Sequence, residues 1–319
     1  MNSPAWGIVS TIRAPARDVL NFAAWHLDLG ATRLMLHFDD PDAPVPEALR
    51  NHPQIDVVVA DQAYWQRIGR RRPTRHQPRQ TLNATRAYAA NTACDWLAHI
   101  DVDEFLLCDG PVAGHLARLA PECQTARLRP IEALAADALP TEPPDTRVNF
   151  KAFTLQTPLR HRQTARIFPT YGGWLNGGML SHAAGKLFVR KGLPEAEFRI
   201  HNVLSRGEQN PGQVELSDIS LAHFHAGPWE DWLKHYRFRL ESGAYRAGLR
   251  PAQGATAPLH DLLRDLENRR GLAGLRHFHQ EVCCDTPDLR ARLGAEGLLR
   301  TAEFDFATLR RRHFADATT

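Results

Sequence analysis

Long hydrophobic runs are missing from this sequence of 319 residues. The longest apolar stretch falls far short of the ~20 residues that a helix needs to cross a bilayer. The first residues also lack a basic region followed by an extended apolar segment, which a secretory signal would have. We therefore predict a cytoplasmic protein, for which the sequence still allows peripheral contact with the inner face of a membrane.

Cysteine is scarce as well. The five cysteines are odd in number, and none forms a Cys-x-x-Cys pair. Two of them are adjacent, and adjacent cysteines are poorly placed to bind the same metal ion. These features argue against a disulfide framework and a structural zinc site, and they favour reduced cysteines that pack in the interior. The five residues are Cys94, Cys108, Cys123, Cys283 and Cys284.

A strong charge of one sign is also absent, because the net charge is only +3. So mild a charge predicts no nucleic-acid partner. The basic residues are nevertheless uneven, since residues 66–80 contain six arginines with no aromatic residues between them for base stacking. This run favours a loop that attracts an anion, either a phosphate or a membrane surface. A solvated basic loop explains it equally well.

The first hundred residues alternate between strand-like and helix-like segments. Val19, Phe22 and Leu27, for example, recur at helical spacing, and Gly30 follows as a terminator. Such alternation predicts an α/β fold with a parallel sheet and helices on its faces. The four predicted strands are residues 6–12, 32–38, 55–60 and 96–101.

Polar residues follow three of these predicted strands. Ligands of open parallel sheets bind at the carboxyl ends of the strands. We therefore predict that one edge of the sheet brings these residues together as a site. The residues are Thr11, Arg13, Asp39, Asp40, Asp101 and Asp103.

The pattern becomes less regular after about residue 123. Residues 124–131, 164–169, 186–191 and 219–225 are strand candidates with long, partly glycine-rich loops between them. From Pro228 onward the spacing predicts helices. We therefore predict a catalytic domain over residues 1–227 and a helical C-terminal extension over residues 228–319.

The segment WLAHIDVDEF carries an apolar strand directly into Asp101, Asp103 and Glu104. If the strand continues, Asp101 and Asp103 share one of its sides and repel each other. A hard divalent cation, Mg²⁺ or Mn²⁺, would stabilise such a pair and leave coordination positions for phosphate oxygens. The simpler alternative is an acidic turn that the arginine loop neutralises.

The same segment resembles the Asp-x-Asp motif of GT-A-fold glycosyltransferases, in particular their family-2-like group. Further segments resemble motifs of that group in the same order and cover most of the chain. One departure is Thr11 to Ala14, where many members carry an Asn-Glu pair. The resemblance implies a Rossmann-like, nucleotide-diphospho-sugar transferase fold. The further segments are NFAAWHLDLGATRLMLHFDDPD, RQTLNATRAYAANTACDWL, SHAAGKLFVR and LAHFHAGPWEDWLKHYRFR.

The resemblance also implies roles for individual residues. Asp103 would bind the metal ion directly, Asp101 would reach it through water or hold the ribose, and His223 would be a third ligand. Glu104 would orient the acidic turn. The expected donor-binding residues are Thr11, Arg13, Asp39, Arg79, Asn83, Asp101, Lys186 and Arg190. The general base that an inverting transferase needs has two candidates, Glu132 and Asp137, for which ordinary loop acids are the competing interpretation.

Together these features predict a metal-dependent, inverting glycosyltransferase. It would move a sugar from a nucleoside-diphosphate donor, with a UDP-sugar expected, to a hydroxyl group of a saccharide or lipid-linked acceptor in cell-surface polysaccharide synthesis. One alternative is a binding module for nucleotide sugars without turnover. Another is a haloacid-dehalogenase-like phosphatase, although its Asp-x-Asp motif normally follows the first strand and is not followed by Glu-Phe.

Overall fold

The computed structural model describes residues 3–136, 146–241 and 258–314. The chain divides into two compact units. Unit 1 comprises Met1–Arg129, Ala184–Leu221 and Asp305–Thr319, and unit 2 comprises Pro130–Ala183 and Ala222–Phe304. The chain therefore leaves unit 1 and returns to it twice.

The described residues form thirteen strands and ten α-helices. The strands are β1 (Trp6–Ile12), β2 (Arg33–Phe38), β3 (Ile55–Val59), β4 (Trp96–His99), β5 (Glu104–Cys108), β6 (Thr125–Ala133), β7 (Arg147–Lys151), β8 (Lys186–Arg190), β9 (Glu197–Phe198), β10 (Val203–Ser205), β11 (Glu208–Gln209), β12 (Gln213–His223) and β13 (Leu299–Glu303). The helices are α1 (Ala16–Asp28), α2 (Glu47–Arg50), α3 (Gln62–Arg67), α4 (His76–Ala90), α5 (Val112–Ala117), α6 (Thr157–Ile167), α7 (Trp229–Glu241), α8 (Leu259–Val282), α9 (Pro287–Ala295) and α10 (Phe306–His313).

The sheet of unit 1 confirms the predicted parallel arrangement. β1 pairs in parallel with β2 and β4, and β2 pairs in parallel with β3. β8 runs antiparallel to β4 and to the first residues of β6, so the sheet is mixed. β12 pairs with β5 and β6, and β9 to β11 form a small separate sheet. Every residue of β1 and β4 is buried, as expected of central strands with both faces covered.

The end of the described chain belongs to unit 1. α10 packs against α1, and its Arg312 and His313 bond to Asp28 at the end of α1. Gly30, with φ +90°, ends α1 in the left-handed conformation that glycine adopts without strain. The predicted terminator is therefore correct.

Unit 2 combines a short antiparallel sheet with helices. The end of β6 pairs with β7, and β7 pairs with β13. Phe150 on β7 packs against Phe224 and Phe304 in the core of this unit. From Trp229 onward the described residues are mostly helical, as predicted, but β13 is a strand that the spacing did not indicate.

Two local predictions are wrong. Residues 164–169 are not a strand, because Thr164 and Ile167 lie on the buried face of α6, whose start carries a proline. Asp101 and Asp103 do not continue a strand either. β4 ends at His99, and residues 101–103 form a turn before β5. The turn, not strand parity, therefore determines where these two carboxylates lie.

Candidate functional site

Two of the predicted donor-binding residues meet where the end of β1 lies against α4. The side-chain amide of Asn83 on α4 donates a hydrogen bond to the Thr11 hydroxyl at 3.1 Å. The oxygen of the same amide accepts a hydrogen bond from the Tyr64 hydroxyl at 2.7 Å. Thr11 and Asn83 are both buried. Arg13, just beyond β1, is exposed. Two of the expected donor-binding residues, Thr11 and Asn83, are therefore in direct contact in unit 1.

Asp39, directly after β2, is the centre of a basic cluster. Arg79 donates to both of its carboxylate oxygens, at 2.7 and 2.6 Å. Arg72 donates to its backbone carbonyl at 2.7 Å, and His76 lies 3.0 Å from the second carboxylate oxygen. Burial by itself would raise the pKa of Asp39, but the hydrogen bonds from His76 and Arg79 outweigh it and hold the pKa well below its usual range. Asp39 therefore stays ionised and orients the basic side chains around it.

The acidic turn after β4 is built around a buried lysine. Lys186, which is fully buried on β8, donates to Asp101 at 2.7 Å and lies 3.5 Å from Glu104. Gln80 on α4 donates to the other oxygen of Asp101 at 2.5 Å. Glu104 is also buried, and it accepts a hydrogen bond from the Asp101 backbone N–H at 2.8 Å. Both oxygens of Asp101 and one of Glu104 thus hold the turn in place.

These contacts keep Lys186 charged in the interior. Burial would lower the pKa of its ammonium group, but the charges of Asp101 and Glu104 outweigh burial and raise the pKa above its usual range. Gly185 makes the approach of β8 to β6 possible. Its φ is +71°, and a Cβ atom there would lie 1.8 Å from the Leu128 carbonyl oxygen. The Gly-Lys pair of the sequence motif therefore has a packing reason as well as an electrostatic one.

The turn brings three acids close to one buried lysine. Asp101 and Glu104 lie within 3.5 Å of the Lys186 ammonium group, and the negative charge of Asp103 also raises the pKa of that group. Asp103 is partly exposed, and the Asp101 side chain is 30% exposed. Burial raises the pKa of Asp18 on α1, and the negative charge of Asp103 contributes to that rise. Hard carboxylate oxygens grouped in a partly exposed turn are suitable ligands for Mg²⁺ or Mn²⁺.

Arg190 does not join this group, although the sequence placed it with Lys186. β8 is antiparallel to β4, so Arg190 lies opposite Trp96 at the start of β4, whereas the acidic turn follows its end. The Arg190 guanidinium donates to the Cys123 and Ala120 carbonyls and lies 4.3 Å from the centre of the Trp96 ring. These are contacts of a structural arginine away from the acidic turn.

Glu132, one of the two base candidates, lies in unit 2 with a different environment. It is fully buried and pairs with the buried Lys151 at 3.0 Å. Its carboxylate also accepts from the Leu180 and Ser181 backbone N–H groups and the Ser181 hydroxyl, at 3.0 to 3.2 Å. Burial by itself would raise the pKa of Glu132, but Lys151 outweighs it, and the pKa falls to about 2. Such a carboxylate is a weak proton acceptor. The other candidate, Asp137, lies outside the described residues.

A histidine cluster accompanies Glu132 in unit 2. His223, at the end of β12, lies with its ring centre 4.9 Å from that of His225 and 6.2 Å from that of His182. The charges of His225 and His223 also lower the pKa of Glu132. His182, His223 and His225 are all part of unit 2.

Sequence reasoning missed several residues of these clusters. His182 was contained in the SHAAGK motif but received no role, and Gln80 stood beside the predicted Arg79. Arg72 and His76 belong to the arginine-rich loop, where nothing in the sequence distinguished them from their neighbours. Their contacts with Asp39 depend on the fold.

Comparisons with known proteins add no family assignment. No protein-family model matches the sequence, and no curated protein matches it. Among the described residues, no helix is both long and apolar enough to span a membrane.

Proposed function

We propose that the protein is a metal-dependent glycosyltransferase of the GT-A type. The observation that carries this proposal is the acidic turn at the carboxyl end of a central parallel strand, with three carboxylates around one buried lysine. Ligand sites of open α/β sheets lie at such edges. The order of the sequence motifs supports the same conclusion.

The proposed cofactor is Mn²⁺ or Mg²⁺. Asp103 would hold it, whereas Asp101, whose oxygens already accept from Lys186 and Gln80, would hold the turn and meet the cation through water. When bound, a divalent cation would neutralise the nucleoside diphosphate that leaves the sugar. His223 as a further ligand is a proposal from the motif resemblance.

The remaining residues of unit 1 would shape and orient the donor site. Thr11 and Asn83 are buried and bonded to each other, so they would fix the end of β1, and Asp39 fixes the direction of the Arg79 guanidinium. Lys186 supplies a permanent positive charge next to the turn. We propose a nucleoside-diphosphate sugar, with a UDP-sugar first, as donor and a saccharide or lipid-linked hydroxyl as acceptor.

Glu132 takes a positioning role in this proposal. Its hydrogen bonds to Leu180 and Ser181 hold the backbone that leads to His182 and, four residues later, to Lys186. A base with a pKa of about 2 would take a proton from a hydroxyl group poorly. Asp137 remains the other proposed base.

The test is release of nucleoside diphosphate from a panel of UDP-, GDP- and dTDP-sugars, with Mn²⁺ and with EDTA. We expect metal-dependent release from one donor, which Asp103→Asn abolishes and the exposed Asp109→Asn of the same segment leaves intact. Because turnover can require the acceptor, binding of UDP is measured in parallel by calorimetry. Absence of both release and Mn²⁺-dependent UDP binding would refute the proposal.

The same experiment separates the alternatives. A binding module for nucleotide sugars would bind UDP in a way that depends on Asp103 and would release nothing from any donor. A haloacid-dehalogenase-like phosphatase would need Asp101 as its nucleophile. That role fits poorly with a carboxylate whose two oxygens accept from Lys186 and Gln80.

A further inference from the structure

The arginine-rich loop of unit 1 forms one wall of a cavity of about 490 Å³. The loop turns at Gly69, whose φ is +67°, so that successive arginines line the same space. The buried Trp65 contributes an apolar surface, and Pro41 closes the side next to β2. The lining arginines are Arg70, Arg71 and Arg72. The arginines are therefore not simply a flat basic surface.

The charges around this cavity favour an anion. Arg72 bonds to Asp39, which fixes its guanidinium. Within the described parts of the chain, no ion pair involves Arg70 or Arg71. Asp61 is the acid in the cavity wall, and its carboxylate accepts from the Tyr64 backbone N–H at 2.7 Å as the N-cap of α3. Arg70 and Arg71 thus add two positive charges to a wall whose acid, Asp61, already serves as an N-cap, and this excess of positive charge favours an anion.

The chemistry of the lining indicates the class of anion. Guanidinium groups bind phosphate through paired N–H donors, and they do so better than the point charge of an ammonium group. The tryptophan and proline surfaces offer apolar contact to an organic group attached to the phosphate, and the volume suits a small organic molecule. The carboxylates of the β4 turn are not part of the lining.

We infer that this cavity is a binding site for a phosphate ester, separate from the acidic turn. The ester can come from a free phosphorylated small molecule or from a lipid head group, since both present the same phosphate to Arg70 and Arg71. The inference does not depend on transferase activity.

The experiment uses glycerol 3-phosphate as the soluble probe, glycerol as its uncharged control, and calorimetric titration of the full chain in EDTA. The variant Arg70→Gln/Arg71→Gln removes two charges and keeps a polar, hydrogen-bonding side chain at each position. The matched control, Arg50→Gln/Arg75→Gln, removes two exposed charges that do not line the cavity. All four arginines are exposed, so both variants should fold, which circular dichroism checks.

We expect glycerol 3-phosphate to bind to the wild type and glycerol not to bind. The affinity for glycerol 3-phosphate should fall at least about tenfold in Arg70→Gln/Arg71→Gln and stay unchanged in the control variant. A second arm measures co-sedimentation with phosphatidylcholine vesicles with and without phosphatidylglycerol. Binding to the vesicles that contain phosphatidylglycerol, but not to those of phosphatidylcholine alone, would identify the lipid head group as the source of the phosphate. This binding should be lost in Arg70→Gln/Arg71→Gln.

Equal weakening in both double variants would overturn the inference, because it would show a general charge effect. Absence of binding in both arms would overturn it as well. Asp103→Asn should leave the affinity for glycerol 3-phosphate in EDTA unchanged. This readout separates failure of the cavity from failure of the proposed transferase site.

Discussion

Two buried lysines, one in each unit, make the most instructive comparison in this protein. Lys151 of unit 2 and Lys186 of unit 1 have no exposed side-chain surface, and each pairs with a carboxylate within 3.0 Å. Lys151 faces one acid, Glu132, and also donates to the Val282 carbonyl at 2.8 Å. Lys186 faces Asp101 and Glu104, with Asp103 close enough to raise its pKa further.

The difference lies in the number of acids around each lysine and in solvent access. The Glu132–Lys151 pair is neutral as a unit and closed to water, so its energetic role is to hold the backbone at Leu180 and Ser181. Lys186 instead faces two acids at once, with Asp103 close by, and solvent reaches Asp101. A closed pair of one acid and one lysine specifies structure, whereas a partly exposed group of carboxylates at the end of a strand is suited to hold a cation.

The largest effect should follow from breaking the Glu132–Lys151 pair. Lys151→Met leaves the charge of Glu132 buried without its counter-ion, and we expect a loss of about 3–5 kcal/mol in the free energy of unfolding. Urea denaturation measures it. Because the double variant Glu132→Gln/Lys151→Met removes both charges, it should regain part of the loss. A double variant less stable than Lys151→Met would contradict the charge argument.

Removing Lys186 should cost slightly less. In Lys186→Met the partly exposed Asp101 can gain water, but the buried Glu104 loses its counter-ion, so we expect a loss of about 3 kcal/mol in EDTA. Mn²⁺ should then raise the melting temperature of Lys186→Met more than that of Lys151→Met, since the three acids of the turn would attract the cation more strongly. An equal rise in melting temperature in both variants would show that the acidic turn does not bind Mn²⁺ preferentially.

Acid should weaken the Glu132–Lys151 pair gradually. The folded-state pKa of Glu132 is about 2, below its ordinary value of 4.5, so its stabilisation is complete above about pH 5 and declines as the pH falls toward 2. The stability advantage of the wild type over Glu132→Gln should shrink over that interval. Thermal unfolding at several pH values measures it, and an advantage independent of pH would exclude an ionised Glu132 as the cause.

The smallest effect on stability should come from the proposed metal ligand itself. Asp103→Asn removes the charge of a partly exposed acid and keeps the shape of its side chain, and in EDTA we expect the free energy of unfolding to change by no more than about 0.5 kcal/mol. With Mn²⁺ present, the wild type should gain melting temperature and the variant should not. A large destabilisation in EDTA would assign Asp103 a structural role instead.

Much of unit 1 follows from local sequence patterns. The strands β1 to β4 could be predicted because each is a short apolar run between helical segments and turn residues. Their order along the chain implied a parallel sheet, and this is what β1, β2, β3 and β4 form. The contact between Thr11 and Asn83, in contrast, depends on how α4 lies against the sheet, and the sequence pattern did not predict it.

The antiparallel parts were harder to predict. Lys186 and Arg190 share a face of β8, but only the pairing register shows that Lys186 lies near the acidic turn and Arg190 at the opposite end of β4. Glu132 looked like an ordinary acid after a strand. Its pairing with Lys151 depends on β6 lying beside β7, which no local pattern encodes.

The sequence by itself determined which segments become central strands and helices and which strand end carries the acids, because hydrophobic periodicity and turn residues act locally. Only the tertiary structure decided which acids are neutralised. A lysine 85 positions along the chain from Asp101 compensates it, and an arginine 40 positions from Asp39 saturates that carboxylate. Electrostatic compensation is strongest between groups only a few ångströms apart, and the fold alone brings residues so far apart in sequence that close together.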